Sequence, residues 1–477
     1  MSDAVTHGGV GPDLRYLANV RPSARQLRWQ ALEFYGFLHV GMNTVTDREW
    51  GLGHEDPALF DPPDVDAGAW VAALAAAGMR GVVLTAKHHD GFCLWPSAHT
   101  DHSVAASPWR GGRGDLVAEV SQACAAAGLA FGVYLSPWDR TDARYGTGRA
   151  YDDYVVAQLT ELLTGYDEVF CVWLDGANGE GPDGRRQLYD WDRYHRVVRA
   201  LQPDAVLSVC GPDVRWCGNE AGHTRRDEWS VVPHELQDAE GTASRSQQVD
   251  DGEFSRRVRS DEEDLGSRTA LAGYAGECVW YPAEVNTSVR PGWFHHPAED
   301  GQVRSAAELF DLWRSAVGGN SCFLLNVPPA ATGRLGEPDV AVLEQLGHLV
   351  RRHVEADRAG DATVTDEDGP VDLAGAPVPD RAPWRPRGPR PRLALAFPAP
   401  VTVRSLDLWE DIAHGQRIEA FSVVLSLDGA VVWRGGAGVL GHLRILEVPD
   451  VTADHVEVVL ERFRAAPALA GVRVVSA

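Results

Sequence analysis

No uninterrupted apolar run in this sequence reaches the ~20 residues that a membrane-spanning helix requires. The stretch from Met1 to Val20 lacks a basic segment followed by an apolar one, so no secretory leader is expected and the chain reads as cytoplasmic. Cys-x-x-Cys is absent, which removes zinc ribbons and dithiol redox motifs. The seven cysteines are odd in number and irregularly spaced, and Cys124, Cys171 and Cys322 fall inside predicted strands or helices, so buried reduced thiols are expected. Basic residues are in deficit, 44 Lys and Arg against 68 Asp and Glu. The formal net charge of -24 excludes nucleic acid or an anionic membrane as the main partner. Neither a Gly-rich loop nor clustered Arg of the kind that cradles phosphate is present, and no cofactor is implied.

What is present describes a globular protein. Hydrophobic residues make up 44% and charged residues 23%, and 477 residues exceed one ordinary core, so two domains are expected. Sixteen Trp is a high count: indole faces serve cores, and they also stack on the C–H-rich faces of sugars.

After a polar lead-in over residues 1–30, a first strand is predicted over 34–41, followed by a loop to Pro63 holding Glu49-Trp50. Helices over 66–79, 116–127 and 151–164 alternate with strands over 81–86, 130–135 and 167–176. Four strands alternating with helices in about 175 residues predict a parallel (β/α)8-like barrel rather than an open sheet. The second half is less regular. A helix over 187–201 and a strand over 205–210 precede a polar segment, 211–275, in which the charged run from Asp250 to Arg268 predicts a solvated insertion. A strand over 277–282, a helix over 306–317, a strand over 321–327 and a helix over 338–356 complete a barrel domain spanning 1–356. Residues 357–392, rich in Pro, Asp and Arg, read as a linker. Short alternating segments at 404–409, 420–427, 430–434, 444–448, 455–460 and 472–475 predict a β-sandwich over 393–477.

The chemistry concentrates at predicted strand ends. Asp175 closes the apolar run Val169 to Leu174, and a carboxylate at the C-terminal tip of a buried strand is where a parallel barrel places its reactive groups. A turn-capping role before Gly176 is the plain alternative. Lys87-His88-His89-Asp90 puts four titratable side chains directly after a second apolar strand, where burial is costly. With His39, Glu49, Trp50, Tyr134 and Trp173, these residues would face one barrel mouth. The mixture of neutral polar groups and aromatics suits an uncharged polyhydroxylated ligand. His88-His89 with His39 and Asp175 could instead supply a metallohydrolase site. Adjacent histidines on an extended chain diverge, however, so no metal is expected.

At this point the sequence resembles an α-L-fucosidase of glycoside hydrolase family 29. The resemblance rests on the strand Phe34 to Gly41, Glu49-Trp50, Lys87 to Phe92 with Trp95-Pro96-Ser97, Phe131 to Ser136, and Trp173-Leu174-Asp175-Gly176. Arg215 to Glu220, Pro282-Ala283-Glu284, Arg290 to Phe294 and Leu324 to Pro329 continue it in order over residues 30–355. It implies a retaining, exo-acting enzyme on a barrel followed by a β-sandwich, acting on fucosylated oligosaccharides without cofactor. The Gly-Asn-Glu and Pro-Ala-Glu forms resemble the subgroup that cleaves α-1,3 and α-1,4 linkages. By the same resemblance Asp175 is the nucleophile and Glu220 the acid/base, with Glu284 the other carboxyl to weigh. His39, Glu49, Trp50, His88, His89, Tyr134 and Trp173, with Glu284, Arg290 and Trp293, would bind the substrate. Trp409 to Ile412 and Gly415 to Arg417 resemble the accessory sandwich of that subgroup. A retaining glycosidase needs its two carboxyls ~5–5.5 Å apart, one to attack and one to protonate the leaving oxygen. A non-catalytic fucose-binding barrel is the rival from another class.

Overall fold

A computed structural model describes residues 13–245 and 263–477. Most of the charged run from Asp250 to Arg268 therefore lies outside the described residues, as does the start of the lead-in.

Eight parallel strands form the first sheet: β1 (Phe34–Leu38), β2 (Gly81–Lys87), β3 (Ala130–Leu135), β4 (Val169–Leu174), β5 (Val206–Val209), β6 (Arg215–Trp216), β9 (Ala283–Ser288) and β10 (Ser321–Asn326). Their order is β5-β4-β3-β2-β1-β10-β9-β6. Between β5 and β6 the ring all but closes: Val209 N donates to Val214 O at 3.2 Å, and Val214 N to Leu207 O at 3.2 Å. Every residue of β1 and β2 is buried, as expected of strands covered by helices outside and side chains within. The helices begin where short polar side chains can satisfy their free N–H groups. Asp66, Asp115, Asp190 and Ser305 each accept a backbone N–H of the first turn, and the helices run over Ala67–Ala76, Leu116–Ala127, Trp191–Leu201 and Ala306–Val317.

Several expectations are corrected. The lead-in is not plain coil: Ala24–Leu32 is a helix started by a reciprocal Ser23–Gln26 capping box, and it buries Trp29. The polar segment expected over 211–275 contributes the barrel strand β6, which follows β5 with no helix between them. The strand expected over 277–282 is not in the barrel: β8 (Cys278–Trp280) pairs antiparallel with β7 (Val231–Pro233), and the barrel strand begins one residue after Pro282. Pro282 lacks the N–H a ladder needs, which ends one strand and lets the chain turn into the next.

The second sheet joins β11 (Thr363–Asp366), β12 (Gly369–Pro370), β13 (Arg392–Glu410), β14 (Ile418–Leu427), β15 (Ala430–Ala437), β16 (Arg444–Phe463) and β17 (Leu469–Ser476). Its strands are antiparallel and close over one core that includes Leu395, Val403, Leu406, Val423, Val458 and Val474, giving the β-sandwich. Over residues 393–477 five longer strands, β13 to β17, stand where six short ones were expected. Pro449-Asp450, which reads as a turn, is a bulge inside the continuous β16, opposite Arg404 of β13. Residues 357–392 are not a bare linker, because β11 adds to the edge of β13 and Trp384 is buried in the sandwich core.

The last barrel helix, Glu337–Glu355, crosses the helix Ala67–Ala76 at Gly347, where a Cβ would stand 1.9 Å from Ala76 O. Gly347→Ala therefore separates the two helices, and denaturant unfolding should show a loss of about 1–3 kcal/mol. An unchanged midpoint would contradict this crossing.

Candidate active site

The C-terminal ends of β1 to β6 and the loops after them, with the loop after β9, enclose one cavity, with about 590 Å³ of empty volume, part of it open to solvent. Its lining includes His39, Trp50, His88, His89, Tyr134, Trp173, Asp175, Glu220 and Trp293, all expected from the sequence. Each arrives by the geometry of its element. Tyr35, Phe37 and His39 alternate along β1 toward the barrel interior, so Phe37 forms the floor against Tyr134, Trp173 and Trp293. The turn after β2 depends on Gly91 (φ +84°), where a Cβ would sit 2.4 Å from Asp139 Oδ1. Asp139 itself is held by the buried Lys87 ammonium at 3.0 Å. That pair fixes the turn carrying the two histidines.

Hydrogen bonds behind the lining set which ring nitrogen of each histidine carries the proton. Asn326 uses its amide nitrogen on Ser288 Oγ and Trp293 O, so its oxygen accepts from His39 Nδ1 at 2.8 Å. Ser136 Oγ donates to Trp138 O and accepts from His89 Nδ1 at 2.7 Å. Asn43 donates to Glu49 O and to His88 Nδ1 at 3.1 Å, leaving His88 Nε2 as the donor of that ring. Burial disfavours the imidazolium in all three. It pushes His39 down to about 3 and His89 to about 4, and holds His88 well below the ordinary value.

The two carboxyls differ. Asp175, partly exposed on the cavity wall, accepts from Tyr134 Oη at 3.0 Å and from Ala177 N. Glu220 accepts from Trp293 Nε1 at 3.0 Å. Burial, then the charges of Asp175 and Glu49, push Glu220 up to about 8 against the opposing Trp293 hydrogen bond, so at neutral pH it holds a proton. Its loop is braced from within: the buried Asn219 side chain accepts from Ala221 N and His223 N and donates to His223 O, with all three contacts at 3.1 Å.

The profile of the family described as Alpha-L-fucosidase matches residues 48–355. Alpha-L-fucosidase 1 of Arabidopsis thaliana is 36% identical over 468 residues, covering 94% of this chain and 85% of that protein. A crystal structure from Bacteroides ovatus, assigned as an α-L-fucosidase, superimposes with a TM-score of 0.84 at 40% identity, covering 97% of this chain and 75% of that one. A glycoside hydrolase 29 family member from a rumen bacterium gives a TM-score of 0.77 at 34% identity, covering 98% and 78%. The chain belongs to the α-L-fucosidase family.

Three of the expected substrate contacts of this α-L-fucosidase are not among the residues lining the cavity. Glu284 is fully buried beneath it, accepting from Trp173 Nε1 at 2.9 Å, from Ser208 Oγ at 3.2 Å and from Tyr35 Oη. It stands behind the wall because β9 points residue 284 into the barrel interior one layer below the mouth. Glu49 is turned to the loop 289–303, accepting from Trp293 N, from Phe294 N at 3.2 Å and from His296 Nε2 at 3.2 Å. Arg290 is buried and forked onto Asp339, with Nε–Oδ1 at 3.0 Å and Nη2–Oδ2 at 2.7 Å, so its charge is spent within the protein. Conversely Phe37, Val209 and Trp216 line the fucosidase cavity without having been singled out as ligands. Phe37 was legible from the alternation along β1. Val209 was not, since its φ of +68° is uncommon for a β-branched residue and leaves no mark in the sequence. Among the described residues, no group of three or more His, Cys, Asp or Glu is placed to hold a metal ion.

The fork fixes a prediction. Arg290→Met strands Asp339 and should cost roughly 3–5 kcal/mol of stability while changing KM for an aryl fucoside by less than about twofold. A raised KM with stability intact would return Arg290 to the sugar.

Proposed function

We propose that this α-L-fucosidase is retaining and exo-acting, with Asp175 as nucleophile and Glu220 as acid/base, and that it removes α-1,3- and α-1,4-linked fucose from branched oligosaccharides. The observation that carries the reading is a single cavity faced by two carboxyls of opposite preparation: Glu220 keeps its proton up to about 8, and Asp175 is oriented by Tyr134 Oη and Ala177 N.

Asp175 Oδ attacks the anomeric carbon as the glycosidic C–O bond breaks, and the Glu220 proton goes to the departing oxygen. This leaves a fucosyl ester on Asp175 and an ionised Glu220. Glu220 then takes a proton from water, whose oxygen attacks the same carbon and frees the Asp175 carboxylate with net retention. Neutral His39, His88 and His89 provide donors and acceptors for sugar hydroxyls without adding charge. Phe37, Trp173 and Trp293 supply apolar faces for C–H groups. The linkage preference rests on the Gly218-Asn219-Glu220 and Pro282-Ala283-Glu284 forms. It is supported by Trp293, bonded to Glu220, and by Trp216 on the same cavity, two indoles with faces available to a second sugar.

Two tests follow from the chemistry. Asp175→Asn should abolish turnover with the fold intact. Glu220→Ala should reduce kcat/KM on a fucosylated trisaccharide by about 10²–10⁴-fold while sparing an aryl fucoside whose leaving group needs no proton. Equal losses on both substrates would exclude Glu220 as the acid, and product analysis by NMR showing an inverted anomer would exclude the covalent step. The pH profile has a defined sign. Because the protonated form of Glu220 is the active one, kcat/KM for the trisaccharide should fall as pH rises through about 8. The histidines, neutral well below this range, should contribute no limb between pH 5 and 8.

A further inference from the structure

Trp293 does more than line the cavity wall. Its indole Nε1–H reaches Glu220 Oε2 at 3.0 Å, and among the described residues it is the one hydrogen-bond donor on that carboxyl. Its backbone is gripped from two sides. Glu49 accepts from the N–H groups of Trp293 and Phe294, while Asn326 Nδ2 donates to Trp293 O at 2.8 Å. Glu49 is in turn held by His296, which also meets Asp47 at 2.7 Å; these carboxylates push the imidazole up to about 9 and keep it cationic. The ring lies 5.1 Å from His39 and 6.3 Å from Phe37, centre to centre, so the indole has little freedom to swing away from Glu220.

The groups that act on Glu220 explain why one neutral donor matters. Asp175 on the end of β4 and Glu49 on the loop after β1 both oppose its charge, and burial opposes it further. His39, His88 and His89, on the ends of β1 and β2, are held neutral by burial, and Tyr134 on β3 spends its hydroxyl on Asp175. None of these stabilises an ionised Glu220. The indole N–H does, and it also fixes the direction of the carboxyl.

We infer that Trp293 is the positioning residue for the acid/base carboxyl, its indole N–H aiming Glu220 and its backbone anchored by the Glu49–His296 pair. This inference rests on Glu220 being the acid/base. A substrate that needs no proton loses nothing when Glu220 is misdirected, whereas a lost contact with fucose would weaken every fucoside alike, and a lost contact with the second sugar would weaken the trisaccharide without moving its alkaline limb.

The test is Trp293→Phe, which keeps a ring against Phe37 and His39 and removes the donor. It should lower kcat/KM on a fucosylated trisaccharide about tenfold and on an aryl fucoside by no more than about twofold. The alkaline limb of the trisaccharide profile should move to higher pH, because the ionised carboxyl has lost its donor. Glu49→Gln, which weakens the backbone anchor while leaving the indole in place, should give the same substrate pattern in weaker form. An unmoved limb, whether the losses on the two substrates are equal or confined to the trisaccharide, for a variant whose circular dichroism matches the parent, would overturn the inference. Glu220→Ala in the same paired assay separates the two failures. If it spares the aryl fucoside while Trp293→Phe does not, the acid/base assignment stands and the role of Trp293 falls.

Discussion

Two carboxyls that share one desolvated cavity cannot both be charged at low cost, and the site is organised around that constraint. Burial opposes ionisation of whatever it encloses, so it lifts Glu220 and lowers His39, His88 and His89 by the same mechanism with opposite sign. The outcome is a pocket that carries one removable proton opposite an oriented aspartate, with histidines acting as neutral hydrogen-bonding groups. An uncharged polyol finds directional partners there and no fixed cation to displace. A substrate bearing phosphate or carboxylate would meet the opposite field.

Such a pocket works only if its walls do not relax toward the charges they avoid, and four of its wall residues are tied from behind. Glu284 holds Trp173, Asn326 holds His39, Ser136 holds His89, and Asn43 holds His88. Glu284 and Asn326 lie on strands, Ser136 directly follows β3, and Asn43 sits in the short helix Met42–Thr46 after β1. The turn bearing the two histidines is pinned by the buried Lys87–Asp139 pair, so the positions of the lining groups are inherited from the barrel. Buried polar groups are costly when half satisfied. Here the cost is contained because most of the groups behind the wall use more than one hydrogen-bonding capacity. Glu284 illustrates the limit: it collects three donors and meets no cation, and burial raises its pKa.

Much of the site could be read from the sequence because strand-end chemistry interrupts an otherwise apolar pattern. Asp175 and the His88-His89 pair stand out for that reason, and the alternation of strands and helices through residue 175 fixes the barrel. What could not be read follows from geometry at long range. Arg290 and Glu284 carry the charges expected of ligands, but whether a charge faces the cavity or an internal partner depends on a residue elsewhere in the chain, Asp339 for one and Trp173 for the other. The two-residue strand β6 and the displaced strand after Pro282 fall where local periodicity is too short to register against turn chemistry. Pro449-Asp450 shows the same limit in the sandwich, since a bulge and a turn use the same residues.

The sandwich is not a passenger on the barrel. The segment that follows the Glu220 loop is fixed largely by residues of the second domain. Gln416 accepts from Ser230 N at 2.8 Å, Arg444 donates to Arg226 O and to Asp227 at 2.9 Å each, and Val439 N donates to Asp227 at 3.0 Å. Between them Glu228 is buried against Arg215 of β6 and Arg225, the latter at 3.0 Å, while its carbonyl accepts from Asn320 at 2.8 Å. A loop entering from a two-residue strand would have little to define its exit without these contacts. Ordering that exit limits the conformations open to the loop, just as Asn219 limits them within it. The placement of the Glu220 carboxyl thus draws on both domains, which gives a physical reason for the barrel and the sandwich to share one chain.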